Sequence, residues 1–175
     1  MRVLRGCHPY IQYFLWILKK KKYYFIGANK DRDFCKGLKI LEEKNLKKSD
    51  FILNLGLNEG EAVSKYTRIL NEAAKMSLLM ICVNPDLEVI RGKKKEICAG
   101  SLALKYEELR GKVKYFGKPH IEIYKKVVKK IKIRNKNKIL AIGDSLRTDI
   151  LGANNFQIDS ALVLSGINGK IKEIE

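Results

Sequence analysis

Two hydrophobic periods alternate along the chain, and they predict helices and strands in turn. The clearest helical period runs from Glu61 to Met76, where apolar residues recur every three or four positions on one face. Further helices are predicted over 33–43, 98–109, from 119 and over 148–154. Short β-branched or apolar runs predict strands at 23–27, 51–56, 78–83, 113–116, 139–142 and 160–164. Alternation of this kind predicts an α/β fold with parallel pairing, and the Lys-rich segment 88–96 is predicted to be a loop.

Length and apolar content limit the class of protein. The 175 residues suffice for one domain, or for a small domain with part of another. A bilayer-spanning helix needs roughly 18 apolar residues, and Ile11–Leu18 is about half that length. Four lysines follow it, the reverse of the order in a secretory signal. We expect a cytoplasmic protein that makes no membrane contact, and a helix or strand fragment at Ile11–Leu18.

The four cysteines favour neither a metal site nor a disulfide framework. They are Cys7, Cys35, Cys82 and Cys98. None forms a C-x-x-C pair, and their spacing matches no zinc-site pattern. Cys82 and Cys98 fall in apolar stretches, as small buried residues of a reducing compartment do.

The net charge of +17 raises the question of nucleic-acid binding. Only eight of the 36 basic residues are arginine, the residue better suited to reading bases and phosphates. The lysines are spread along the chain on predicted solvent-exposed helix faces. The composition therefore does not favour specific nucleic-acid binding.

An apolar strand runs directly into Gly143-Asp144, and Asp149 follows five residues later. Ligands of open α/β sheets bind at the carboxyl ends of strands. Two carboxylates placed there provide oxygen ligands for Mg²⁺ beside a phosphate. The alternative is that Asp144 starts a turn and Asp149 caps a helix, and spacing alone does not decide between the two.

A second candidate segment is Phe116-Gly-Lys-Pro-His120. Gly117 permits a tight turn, and Lys118 then stands at a predicted helix N-terminus, where the helix dipole favours anions over cations. A bound phosphate or carboxylate would reconcile Lys118 with that position. The alternative is one more solvated lysine in a lysine-rich chain, and His120 is interpreted as a helix-start residue.

Together these segments resemble motifs three and four of the haloacid dehalogenase (HAD) superfamily. Other segments in matching order and spacing extend the resemblance to class IIA, the sugar-phosphate, p-nitrophenyl phosphate and pyridoxal phosphate phosphatases. They are Val83-Asn-Pro-Asp86, Cys98-Ala-Gly-Ser101, Tyr115-Phe-Gly-Lys-Pro-His120, Gly143-Asp-Ser-Leu-Arg-Thr-Asp-Ile-Leu-Gly-Ala153 and Val163-Leu-Ser-Gly166.

The resemblance implies a Rossmann-like HAD core, here partial, with an inserted α/β cap domain. It implies that residues 23–47 lead from the core into the cap, that 48–114 form the cap, and that 115–175 form the C-terminal part of the core. Residues 1–22 remain unassigned.

The resemblance also implies roles for individual residues. Lys118 would steady the nucleophile and the phosphoryl group, Asp144 would be a catalytic Mg²⁺ ligand, and Asp149 would be a second ligand or would orient metal-bound water. Asn84 and Asp86 would lie on the cap near the leaving group of the substrate, although an Asn-Pro-Asp turn can also be purely structural.

The attacking carboxylate of the family has no counterpart in this chain. In the family an Asp of a D-x-D-G-T/V motif attacks phosphorus, and the Asp two residues later acts as acid and base. Asp31-Arg-Asp33 has the D-x-D spacing but lacks the Gly-Thr, and it stands four residues beyond the strand-ending Gly27. The chain therefore resembles a cap with the latter part of a core, short at both ends.

Two functions from different classes follow. The first is a Mg²⁺-dependent phosphatase acting on a small phosphorylated metabolite, catalytically impaired because the nucleophile motif is absent. The second is a module that binds a phosphorylated ligand, associates with itself, or pairs with a separately encoded N-terminal half.

Overall fold

The computed structural model describes residues 8–91, 94–133 and 135–164. They divide into two compact units. The first takes in the chain up to Val89 together with Lys95–Phe116, and the second takes in Ile90–Lys94 and the chain from Gly117 onward. Two predicted segments lie partly outside the described residues. They are the N-terminal segment at residues 1–7, which include Cys7, and the core segment at residues 165–175.

The first unit is built on a five-stranded parallel sheet. Its strands are β1 (Lys22–Ile26), β2 (Leu41–Glu42), β3 (Phe51–Asn54), β4 (Leu79–Cys82) and β7 (Lys112–Tyr115). They lie in the order β2-β1-β3-β4-β7. Its α-helices are α1 (His8–Ile17), α2 (Thr67–Lys75) and α3 (Ala99–Glu108), and 3₁₀ segments lie at Asn29–Cys35, Leu46–Lys48 and Val63–Tyr66. The predicted α/β class and its parallel pairing are confirmed.

Both faces of this sheet are buried. Successive side chains of a strand point to opposite faces, so Ile52 and Met80 belong to one apolar cluster and Leu53 and Ile81 to the other. The first cluster packs against α2 and α3. The second takes in Ile11 and Leu15 of α1, Phe34, Ile40 and Phe116. Burial of both faces is what a parallel sheet requires, and it explains why β3 and β4 are almost wholly apolar.

The segment preceding β1, which was assigned to no domain and was predicted to hold a helix or strand fragment at Ile11–Leu18, contains a helix. In α1, Ile11 and Leu15 lie at helical spacing, and their side chains are completely buried in the core. Among the described residues, no helix combines the length and the apolar content that crossing a bilayer requires.

The helix predicted over 33–43 does not form. A 3₁₀ segment ends at Cys35, Gly37 has φ +80°, and Leu41 pairs with Lys22 at the edge of the sheet. The spacing of the apolar residues does not reflect a helix, because Phe34 reaches the core from the 3₁₀ segment and Ile40 from the residues before β2, whereas Leu41 is exposed. Tertiary packing here overrides a local periodicity.

The polar segment predicted as a loop over 88–96 contains two strands. β5 (Glu88–Arg91) and β6 (Lys94–Ile97) form a sheet of their own, and Lys95 forms a 2.6 Å ion pair with Glu88. The many charged side chains led to the prediction of a loop. The β-branched residues Val89 and Ile90 favour a strand instead, because they prefer extended backbone.

The second unit contains the parallel pair β8 (Leu140–Gly143) and β9 (Asp159–Leu162). Its α-helices are α4 (Ile121–Ile131) and α5 (Leu151–Phe156), with a 3₁₀ segment at Lys136–Lys138 and a single π-helical turn at Leu146–Ile150.

The predicted boundary at 114/115 falls two residues before the boundary between the units. The one at 47/48 falls between β2 and β3, which both pair with β1, so residues 23–47 belong to the same sheet as β3 and β4. Which unit is cap and which is core stays a prediction.

Tyr106 connects α3 to the sheet through a buried hydrogen bond. Its side chain is inaccessible to solvent, and its hydroxyl donates to the carbonyl oxygen of Leu78 at 2.6 Å, directly before β4. Burial raises the pKa of Tyr106 to about 12, so the hydroxyl remains a donor at physiological pH. A Cβ at Gly111 would overlap the Tyr106 ring, so glycine permits this packing.

We therefore expect Tyr106→Phe to lower the free energy of unfolding by about 1–3 kcal/mol, because the buried Leu78 carbonyl loses its side-chain donor. Urea denaturation followed by circular dichroism measures the change. The matched control is Tyr13→Phe, at a tyrosine whose side chain is 63% exposed. Equal stability of the two variants would contradict the contribution assigned to the buried bond.

Candidate active site

Asp144 stands at the carboxyl end of β8. The strand pairs with β9 up to Gly143, which lies opposite Leu162, and the amide of Val163 donates to the Gly143 carbonyl at 2.8 Å. Asp144 is the first residue beyond this pairing and is half-buried. Its backbone is therefore anchored at the edge where α/β sheets bind ligands.

Asp149 is carried by a π-helical turn rather than by the helix start predicted at Thr148. The amides of Asp149 and Ile150 both donate to the carbonyl of Ser145, at 2.9 and 3.1 Å, and the Thr148 amide donates to the Ser145 hydroxyl at 3.3 Å. One-turn π segments are rare and are frequently found at functional sites. No signal in the local sequence distinguishes this turn from an ordinary helix start.

The Asp149 carboxylate folds back over the end of β8. Its Oδ2 accepts a hydrogen bond from the Ser145 amide at 3.2 Å, and its side chain is 12% exposed. A Cβ on Gly143 would lie 2.5 Å from Oδ2, so only glycine leaves room for this conformation. The carboxylate of Asp149 is thereby held beside the backbone of the residue that precedes Asp144.

Lys118 meets this carboxylate from the other segment predicted from the sequence. Gly117 has φ 115°, and the chain then reaches α4, which begins at Ile121 with His120 at its N-cap. The Nζ of Lys118 contacts Oδ1 of Asp149. Lys118 thus lies three residues before α4 and is partnered by a carboxylate 31 positions away, so the structure brings the two predicted segments together. The His120 side chain makes no capping hydrogen bond.

The donor set fits a hard cation that keeps most of its water ligands. In the described part of the chain, no three His, Cys, Asp or Glu side chains are grouped as a metal cage. Mg²⁺, however, is usually held by one or two carboxylates, with water and substrate phosphates completing its shell. Asp144 and Asp149 supply two carboxylates from one loop, and Gly143 provides the close backbone approach.

A buried hydroxyl adjoins this loop. Thr148 is almost completely buried, and within the described residues its Oγ1 has no hydrogen-bond partner. Buried polar atoms of native proteins are normally paired with protein or ordered water. Sequence reasoning did not identify Thr148, because a threonine between Arg147 and Asp149 carries no pattern of its own.

The other two predicted site residues lie in the first unit. Asn84 and Asp86 follow β4, and the Asn84 side-chain oxygen accepts from the Asp86 amide at 3.2 Å. The Asp86 carbonyl accepts from the Gly100 amide at 3.0 Å, where a Cβ on Gly100 would overlap the chain at Pro85. The turn therefore supports the start of α3, and its contact with a substrate stays a prediction.

Asn54 is a polar residue that sequence reasoning overlooked. It ends β3 and is completely buried. Its amide nitrogen donates to the Ala99 carbonyl at 2.9 Å, and its side-chain oxygen accepts from the Gly56 amide at 3.1 Å. The sequence did contain one indication of this role, since a polar asparagine ends an otherwise apolar strand. Its role here is to join the end of β3 to the start of α3.

The sequence and the fold were compared with those of known proteins, and the matches support the predicted superfamily. A HAD-hydrolase-like family model matches residues 115–174. A haloacid dehalogenase-like hydrolase from Brucella suis is similar at 29% identity and a TM-score of 0.83, over 93% of this chain and 63% of that one. A structure described as a possible sugar phosphatase of the HAD superfamily from Cytophaga hutchinsonii is similar at 26% identity and a TM-score of 0.70, over 94% and 65%.

A third solved structure shows the fold alone. It is a double mutant of a thermostable NPPase from Geobacillus stearothermophilus, similar at 22% identity and a TM-score of 0.69, over 97% of this chain and 67% of that one. None of the curated proteins matches the chain. The chain spans less than two thirds of the length of the first two solved structures. The predicted resemblance to the superfamily is confirmed.

The close approach at Gly143 gives a direct test of the site geometry. We expect Gly143→Ala to lower the free energy of unfolding by about 1–3 kcal/mol, because its Cβ overlaps the Asp149 side chain. Combining it with Asp149→Gly, which removes the overlapping atoms, should give a loss smaller than the sum of the two single changes. Thermal unfolding of all four proteins measures this coupling. Strictly additive losses would contradict the contact.

Proposed function

We propose that this chain, a member of the haloacid dehalogenase-like hydrolases, binds a phosphoryl group and Mg²⁺ through Lys118, Asp144 and Asp149 without turning a substrate over. The reaction to which its site corresponds is the hydrolysis of a phosphoric monoester by a Mg²⁺-dependent phosphatase. The substrate class is a small phosphorylated metabolite.

The observation that supports this proposal most is the contact between Lys118 and Asp149 at the carboxyl end of β8. A lysine held beside a carboxylate presents its remaining N–H donors in a fixed direction, and ammonium donors bind phosphoryl oxygens through charge-assisted hydrogen bonds. Asp144 and Asp149 are the residues that would hold Mg²⁺. When bound, the ion would withdraw charge from the phosphoryl oxygens and orient them.

The covalent step lacks its attacking group. In the chain, the one D-x-D spacing is Asp31-Arg-Asp33. It lies in the 3₁₀ segment of the first unit, and Asp33 forms an exposed ion pair of 2.8 Å with Lys36. Without a carboxylate aligned with phosphorus, positioning by Lys118 and the metal binds the phosphoryl group but does not transfer it.

The full chain with Mg²⁺ is therefore expected to hydrolyse p-nitrophenyl phosphate no faster than its Asp144→Ala variant. Calorimetry with Mg²⁺ and inorganic phosphate should still detect binding that Asp144→Ala weakens, since the variant removes a proposed ligand. Turnover that disappears in Asp144→Ala would show that a nucleophile is present. Absence of any binding would overturn the proposed site.

A second candidate function is complementation by a separately encoded N-terminal half, and the exposure of the second unit favours it. Among its described residues, only Ala153 and Phe156 are buried residues with large or small apolar side chains. Leu140 and Ile142 of β8 are 56% and 67% exposed. A parallel sheet is normally covered on both faces. The other large apolar residues exposed among the described residues of this unit are Ile90, Val127, Ile131, Leu146, Leu151, Val163 and Leu164.

We expect the full chain to bind a hydrophobic dye or to self-associate unless a partner covers this face. The double change Leu140→Lys/Ile142→Lys should reduce both effects several-fold, because it places two charges on the apolar strand. Leu41→Lys, at an exposed leucine of the first unit, serves as the control. Dye fluorescence and light scattering measure the effects. Complementation predicts that a D-x-D-G protein co-purifies with the wild-type chain and not with the double variant.

A further inference from the structure

One tyrosine joins the two segments that form the site. Tyr124 lies in the first turn of α4, six residues after Lys118, and its hydroxyl donates to the backbone carbonyl of Asp149 at 3.2 Å. Tyr124 therefore contacts the backbone of the residue whose side chain contacts Lys118.

The ring of Tyr124 is fixed against α5 by close packing. It stacks on Phe156 with ring centroids 5.6 Å apart and an interplanar angle of 23°. A Cβ on Gly152 would lie 2.8 Å from Cε2 and 2.9 Å from Cζ of Tyr124, so only glycine allows the ring to approach this closely. The position of the hydroxyl is thus determined by the helix as well as by its own hydrogen bond.

The phenol also lies within electrostatic range of both charged groups. Burial raises the pKa of Tyr124 most, the charge of Lys118 lowers that pKa, and the charge of Asp149 raises it. The balance is upward, so the hydroxyl stays protonated at physiological pH and keeps its proton for the Asp149 carbonyl.

We propose that Tyr124 is a positioning residue, whose hydroxyl fixes the π-helical turn so that the Asp149 carboxylate stays against Lys118 and the Ser145 amide. The inference rests on the proposed function, since it assigns to Tyr124 the pre-alignment of a phosphate and Mg²⁺ site. It differs from a simple packing role in one respect: the hydroxyl acts, and the aromatic ring alone does not suffice.

The test is Tyr124→Phe in the full chain, because this change removes the hydroxyl and keeps the ring that stacks on Phe156. Two readouts apply. Hydrogen exchange of the Ser145 amide, which donates to Asp149 Oδ2, should become several-fold faster by NMR. The affinity for Mg²⁺ alone, measured by calorimetry, should fall about 10-fold, as is typical when a group that orients a metal ligand is lost. The melting temperature should change little.

Tyr115→Phe is the matched control. Its hydroxyl donates to the exposed Glu107 carboxylate at 2.7 Å in the first unit, so neither readout should change. Gly152→Ala should reproduce the effect of Tyr124→Phe by displacing the ring. Because both changes act on the same hydroxyl, the double variant should be little worse than either single one.

The failure of this inference can be told apart from the failure of the proposed function. If the wild-type chain binds no Mg²⁺, the proposed function is wrong. The role of Tyr124 is then tested only by the hydrogen-exchange rate of the Ser145 amide. Unchanged Ser145 exchange in Tyr124→Phe overturns the positioning role, and so does unchanged Mg²⁺ affinity where the wild type binds the ion. An effect of Tyr124→Ala without one of Tyr124→Phe would assign the contribution to the ring and also overturn it.

Discussion

A parallel sheet has to be covered on both faces, and this requirement governs the structure of the chain. In the first unit it is met by two apolar clusters, one under α2 and α3 and one that takes in α1. It explains why β3 and β4 contain almost no polar residues and why α1 buries Ile11 and Leu15. In the second unit the same requirement is met only in part, since Leu140 and Ile142 remain exposed on β8.

The candidate site depends on close backbone approaches in this second unit. Gly143 lets the Asp149 carboxylate fold over the end of β8, and Gly152 lets the Tyr124 ring lie against α5. Lys118 then adds a positive charge to a carboxylate that already accepts a backbone hydrogen bond. The positions of Lys118 and Asp149 are thus set by side chains that pack directly against the backbone at Gly143 and Gly152.

Several elements could be predicted because a single physical cause produces them. The apolar runs at β3 and β4 reflect burial on both faces, and the carboxylates after β8 reflect the usual position of ligand sites. Other features have causes that are distant in sequence. Leu41 and Glu42, at the end of the segment predicted as a helix, form an edge strand because Leu41 pairs with Lys22. Tyr124 contributes to the site because its hydroxyl meets the Asp149 carbonyl, 25 positions away. The π-helical turn has no local signature at all.

The strand order has a consequence for how the chain folds while it is being made. β4 is synthesised before β7, its neighbour in the sheet, and α3 and two further strands lie between them in the sequence. At roughly 5–20 residues per second, the edge of β4 waits on the order of seconds for its partner. An open apolar edge invites pairing with another nascent chain.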